Sequence, residues 1–153
     1  MSLVCHPFRK RYQPNELLPK YRVLRTIQAG QPQCVLDERT QQWTISSGAF
    51  SPSNDGYMSV DLEQILQADS KSSDYLFPNL PRAVALVAHT VAHYLSKNLT
   101  VNHQPLLFNY YHGGVSGKFT RGVRRNLADT YEVIIPIDAA QAEAMANPPL
   151  IIK

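Results

Sequence analysis

The segment His112-Gly113-Gly114-Val115-Ser116-Gly117-Lys118 gathers more groups able to do chemistry than any other stretch of the chain, and Arg121, Arg124 and Arg125 follow closely behind it. Three glycines in a turn leave backbone N–H groups open to an anion, and cations beside them add charge-assisted bonds to phosphate oxygens. The spacing points to an oxyanion site in which Gly113, Gly114, Gly117, Lys118, Arg121, Arg124 and Arg125 bind the ligand. The string approaches the phosphate-loop pattern GxxxxGK[ST] but fails at both ends. His112 stands where the first glycine belongs, and Phe119 where a hydroxyl would bind Mg²⁺, so nucleotide triphosphatase chemistry is set aside. His112, placed beside glycine where a substrate can approach closely, is the candidate acid–base catalyst.

Arg25 is the second candidate catalytic position. On a strand over Tyr21–Ile27 it shares one face with Tyr21, Val23 and Ile27. An arginine there must be paired, line a pocket, or snorkel to water from an edge strand. His89 and His93 have the i, i+4 spacing of a helical metal pair, but the string His89-Thr90-Val91-Ala92-His93 lacks the glutamate of HExxH. No acid or cysteine lies near them, so a solvent-facing pair and no metal site is expected. Ser46 and Ser47 fall outside any GxSxG elbow and suit turn capping. Tyr110 and Tyr111, next to His112, suit either ring stacking or core packing.

These residues need a scaffold. Residues 1–20, with Pro7, Pro14 and Pro19, read as an irregular basic arm, 21–146 as one domain, and 147–153 as a tail whose Leu150-Ile151-Ile152 could dock on a partner. Strands are expected over Tyr21–Ile27, Trp43–Ser46, Tyr57–Val60, Leu99–Val101, Leu106–Asn109 and Tyr131–Ile137, with Tyr110–Val115 extended. Asp61–Ala68 reads as a helix with Asp61 as N-cap and Gln64 completing a capping box. Pro81–Lys97 reads as the main helix, with Val84, Val87, Ala88, Val91 and Leu95 on one stripe. Arg121–Asp129 reads as a short helix that buries Val123 and Leu127 and turns its arginines outward, and Asp138–Ala146 as a terminal helix. Short strands and helices without regular βαβ order imply an α+β domain, with a mixed or antiparallel sheet of five or six strands and three or four helices.

A chain of 153 residues with 44% hydrophobic content suits one well-buried core. No apolar run approaches the ~20 residues of a membrane span, and the first eleven residues hold no secretory apolar core. Cys5 and Cys34 form no CxxC pair, and a reduced, cytoplasmic setting without a membrane partner is expected. The net charge is only +3, yet it is segregated. Arg9, Lys10, Arg11, Lys20, Arg22 and Arg25 crowd the first part, acids the middle, and bases again 118–125. Such clusters either create a local positive field or cancel across faces.

The order Tyr21-Arg22, Ser47-Gly48-Ala49-Phe50, Ser59-Val60, Asn109-Tyr110-Tyr111-His112-Gly113-Gly114-Val115-Ser116-Gly117-Lys118 and Arg125-Asn126-Leu127-Ala128 resembles a family of small uncharacterised bacterial proteins. In that family an arginine strand, S-x-A-F, S-V, N-x-x-H-x-x-[VI]-x-G and R-x-L-A recur. The resemblance covers roughly residues 21–128 and implies positions rather than a reaction. A second resemblance, at the level of fold, is to ADP-ribosyltransferases, onto which Arg22 or Arg25, Ser46 or Ser47, and Glu132 can be laid.

Together these features lead to three expectations. The first is a binding module for a phosphate-bearing ligand, nucleic acid or nucleotide, with no cofactor. The second is a protein–protein adaptor or immunity-type component. The third is a nucleotide- or nucleic-acid-directed enzyme, ADP-ribosyltransferase-like or nuclease-like, using His112 and Arg25.

Overall fold

Ala83-Val84-Ala85-Leu86-Val87-Ala88-His89 is apolar at all but its final position, and that uniformity decides its structure. In the computed structural model, which describes residues 9–30 and 33–146, it forms a strand buried along almost its whole length rather than the expected helix over Pro81–Lys97. A run covered on both faces needs no alternation, so periodicity alone does not separate it from a helix. The β-branched Val84 and Val87 settle well on a pleated surface. Only Val91–Ser96 of the expected helix is helical, capped by the Thr90 hydroxyl accepting from the His93 N–H at 3.1 Å.

The strands are β1 Arg22–Gln28, β2 Cys34–Asp37, β3 Gln42–Ile45, β4 Tyr57–Leu62, β5 Ala83–Thr90, β6 Thr100–His103, β7 His112–Ser116 and β8 Glu132–Ile135. The helices are α1 Glu63–Ala68, α2 Val91–Ser96, α3 Arg121–Thr130 and α4 Ala139–Ala146. Six strands form an antiparallel sheet in the order β6-β7-β4-β1-β5-β8, and β2–β3 pair as a separate hairpin. The expected α+β domain is therefore observed.

Register assigns the two faces. Val23, Ile27, Met58, Val60, Val87 and Val115 share one face, where Phe50, Tyr94, Leu127 and Ala142 join them in the main core. The opposite face carries Leu24, Leu86 and Ala88, covered by Leu66 of α1 and by Phe77.

Four further expectations change. Asp61 is a residue of β4 instead of capping a helix, and α1 starts at Glu63 without a side-chain cap. The Gln64 side chain instead ties the N-terminal arm, accepting from the Leu18 N–H and donating to the Glu16 carbonyl. Leu106–Asn109 is a tight turn closed by an isolated bridge, not a strand. His89 and His93 do not face solvent as a helical pair. His89 ends β5 at 5% exposure, its Nε2–H donating to the Leu127 carbonyl at 2.9 Å. Its ring stacks on His93, whose Nε2 meets the Asn126 Oδ1 at 2.9 Å, so the two imidazoles fasten α3 to the sheet.

The described part of the arm has one 3-10 turn, Pro14–Glu16, and packs along β6. The Tyr12 N–H donates to His103 Nδ1 at 2.9 Å, Arg11 Nε donates to the His103 carbonyl at 3.1 Å, and the Tyr110 hydroxyl donates to the Lys10 carbonyl. Residues 1–8 of the arm and the 147–153 tail with its Leu150-Ile151-Ile152 lie outside the described residues.

The buried imidazole makes stability depend on pH. Burial lowers the His89 pKa from 6.5 to about 4, outweighing the bond to Leu127. Between these values the unfolded chain binds the extra proton, so the stabilisation is complete above about pH 6.5 and drains away as pH falls toward 4. Urea unfolding is expected to show a loss on the order of 3 kcal/mol from this group over that window. His89→Gln, which keeps a donor for Leu127, should flatten the profile. An unchanged profile in that variant would assign the acid sensitivity elsewhere.

Candidate functional site

β1 and β4 are registered only at Val23↔Leu62 and Leu24↔Asp61. Beyond this point β1 continues along β5 and β4 along β7, and the two halves of the sheet part. A cleft of about 280 Å³ opens there, with Arg25, Thr26, Ser59, Asp61, Asn109 and His112 among its lining residues. That volume lies at the small end of ligand pockets, roughly 300–1,000 Å³.

Arg25 occupies the parting. β1 is a central strand, so snorkelling from an edge does not apply. Its Nε donates to the Ala49 carbonyl at 3.0 Å and its Nη1 to the Ser59 carbonyl at 2.8 Å. These bonds satisfy carbonyls that a closed ladder would have engaged in part. The guanidinium has no carboxylate within ion-pair distance among the described residues, and burial pulls its pKa down. Nη2 makes no hydrogen bond among those residues and is not sealed from solvent. A desolvated cation without a counter-charge is costly alone and strongly favours an anion that enters.

Asp61 and His112 stand directly across from each other on β4 and β7, with side chains on the same face. Burial raises the Asp61 pKa, against a 2.8 Å hydrogen bond from Asn109 Nδ2 to Oδ1 and the nearby His112. The His112 Nδ1 lies 2.9 Å from the Gln104 carbonyl. A carbonyl only accepts, so Nδ1 carries a proton and donates it to this bond. Asp61 and His112 line the cleft from one sheet face, while Arg25 shares the main-core face with Val23 and Val87 and reaches the cleft through the gap between β1 and β4. Arg82 and Gln28 also line it.

The two candidate catalytic residues, His112 and Arg25, are brought to one cleft, whereas the glycine turn is not a turn. Gly113 and Gly114 are buried in β7 with paired neighbours on both sides, β4 and β6. Their amides serve the ladders of an inner strand and do not form an oxyanion pocket. The glycines are there because strands crowd them. A Cβ on Gly113 would come 2.7 Å from the Asn102 carbonyl oxygen, and one on Gly114 2.2 Å from the Gln104 side chain. Only Gly117, at φ +132°, adopts a conformation that favours glycine.

Lys118, Arg121 and Arg125 are exposed and Arg124 half-buried, its Nε sealed without a hydrogen-bond partner. None of the four is in an ion pair among the described residues. They belong to α3 and the loop before it. Leu127 packs α3 into the main core, on the sheet face opposite His112. The expected convergence of glycine amides, cations and His112 on one pocket is therefore overturned. Of the basic residues in the first part of the chain, Arg9 pairs with Asp69 and Arg22 of β1 with Glu63, both acids of the middle segment, and Lys10 pairs with Glu16 within the arm. Arg22 also meets Glu132, and Ser46, Ser47 and Glu132 do not line the cleft, so the ADP-ribosyltransferase-like set is not assembled there. Tyr110 is buried, and the Tyr111 hydroxyl donates to Asp69 Oδ2 at 2.7 Å. Among the described residues no cluster of three or more metal-binding side chains occurs, and no helix is long and apolar enough to cross a membrane.

Sequence reasoning missed Asp61 and Asn109 as site residues. Their signal was indirect, since Asn109 opens the N-x-x-H element and Asp61 follows Ser59-Val60. Comparison with protein-family models, curated proteins and solved structures finds no match to this chain.

The two glycines make the strand assignment testable. Gly113→Ala must displace backbone and is expected to cost about 1–3 kcal/mol in a thermal or urea melt. Gly114→Ala need only move the flexible Gln104 side chain and should cost less. Equal, negligible costs with lost phosphate binding would restore the loop reading.

Proposed function

We propose that this protein binds a small phosphate-bearing ligand in the cleft between β1 and β4, with Arg25 as the charge that holds it. The observation that carries this reading is the desolvated Arg25 guanidinium, without a carboxylate partner among the described residues, which lines the cleft and is held on the Ala49 and Ser59 carbonyls. Phosphate suits a guanidinium because the planar fork of donors matches its oxygens. Kinship with the small bacterial family is part of the proposal. Ser59-Val60, Asn109 and His112 from its motifs line the cleft, and Ala49 of its S-x-A-F element receives Arg25. The cations of α3, in no ion pair among the described residues, form a separate surface for polyanions.

A second reading is favoured by the Asp61–His112 pair. A carboxyl group whose pKa is raised by burial and an imidazole directly across the strand pair can exchange protons with one bound ligand. In that reading the cleft belongs to an enzyme acting on a phosphate ester.

Sulfate, which keeps its charge across the working pH range, is the probe. Calorimetry is expected to show saturable binding that Arg25→Gln weakens at least tenfold while alanine at Lys118 and Arg121 leaves it unchanged. Asp61→Asn provides an independent arm should Arg25→Gln misfold. Removing an acid that repels anions when ionised should tighten sulfate binding at pH 8 and reduce the gain seen on acidification. Binding abolished by the α3 substitutions and indifferent to Arg25 and Asp61 would overturn the assignment.

A further inference from the structure

Phe108 is 93% exposed, while the next most exposed large apolar residue among those described, Val133, is at 51%. The exposure is not that of a loose loop. The Leu106 N–H donates to the Asn109 carbonyl at 2.9 Å and the Asn109 N–H returns to the Leu106 carbonyl at 3.1 Å. The Asn109 side chain is fixed from both ends, accepting from the Tyr111 N–H at 3.1 Å and donating to Asp61 at 2.8 Å. Phe108 is therefore held one peptide away from a residue that lines the cleft and bonds its carboxyl group. Leu80, at 38% exposure, lies on the same cleft wall, and Tyr75, at 45%, shares a shallow depression with Phe108 and Asn109.

We infer that Phe108 is a stacking platform for a planar ring on the ligand held at Arg25, which makes that ligand an aromatic or heterocyclic phosphate of nucleotide type. The inference rests on the reading of the cleft as a phosphate site. A ring fixed on a closed turn has lost its backbone freedom before binding, so stacking incurs little further ordering cost. The exposed apolar area is that of about one aromatic side chain, roughly 150–250 Å². This suits one planar ring and falls well short of the ~800 Å² per partner of a stable protein interface. Base-to-aromatic stacking also tolerates any base, because each has a π-face. The cleft then supplies the anion contact and the turn the ring contact, joined through Asn109.

The test titrates the whole protein calorimetrically with adenosine monophosphate, ribose 5-phosphate and inorganic phosphate. Adenosine monophosphate is expected to bind about tenfold tighter than ribose 5-phosphate. Phe108→Ala should remove that preference and leave inorganic phosphate unchanged, and Phe108→Trp should retain it. As a surface substitution on a turn closed by main-chain bonds, Phe108→Ala leaves the fold intact. Phosphate bound with no ring preference, or a preference surviving Phe108→Ala, overturns the inference and leaves the Arg25 reading standing. No binding of any of the three overturns both. A self-associating wild type that Phe108→Ala renders monomeric in sedimentation would assign the ring to a protein interface and overturn the inference as well.

Discussion

A charged side chain stands where a strand ladder would otherwise close. β1 and β4 share two residue pairs and then separate, and the Arg25 guanidinium bridges the gap from the Ala49 carbonyl to the Ser59 carbonyl. Without such a bridge the Ser59 carbonyl of β4 and the Ala49 carbonyl of the adjoining 3-10 turn would each lose this donor, at a cost of about 1–3 kcal/mol if left unsatisfied. The arginine therefore serves as backbone substitute and uncompensated charge together. The cleft, its polarity and the approach to Asp61 and His112 all follow from that one insertion.

The rest of the molecule keeps the parting from collapsing. On one side, the β2–β3 hairpin, α3 and α4 pack the main core against the sheet face that carries Val23, Ile27 and Val87. On the other, Arg22 clasps Glu63 through two nitrogens, Ser73 adds a hydrogen bond to the same carboxylate, and Glu132 meets the third nitrogen. Burial alone would push the Glu63 pKa up, but Arg22 and Ser73 hold it down, so the carboxylate stays charged. This cluster, centred on the buried Glu63, joins β1, the start of α1, the segment after α1 and β8.

Much of the fold was legible because its signals were local. The helix expected over Arg121–Asp129 follows from the Val123–Leu127 spacing and is observed as Arg121–Thr130, and β1, β3, β4 and β8 follow from β-rich runs between turn residues. What escaped depends on neighbours far away in sequence. β5 is apolar because both faces are covered, and its chance helical stripe mimics an amphipathic helix. The glycines of β7 resemble a phosphate loop in the letters alone. Their true reason is the close approach of Asn102 and Gln104 on the adjoining segment, which no local pattern reveals. Arg25 was legible as a residue needing a pocket, from parity alone. Asp61 was not, since a carboxylate before a helix has the same letters whether it caps the helix or faces a cleft.

The sheet's two outer margins differ in how they are blunted. Along β6 the arm lies over the strand, with Arg11 and Tyr12 occupying His103, so that margin offers little free backbone for another chain to join. Along β8 the run ends at Pro136, which lacks an N–H, and Glu132 places a charge on the edge. A molecule whose centre is prised open thus has its flanks guarded against lateral polymerisation, and the strain of the gap is not relieved by recruiting a foreign strand.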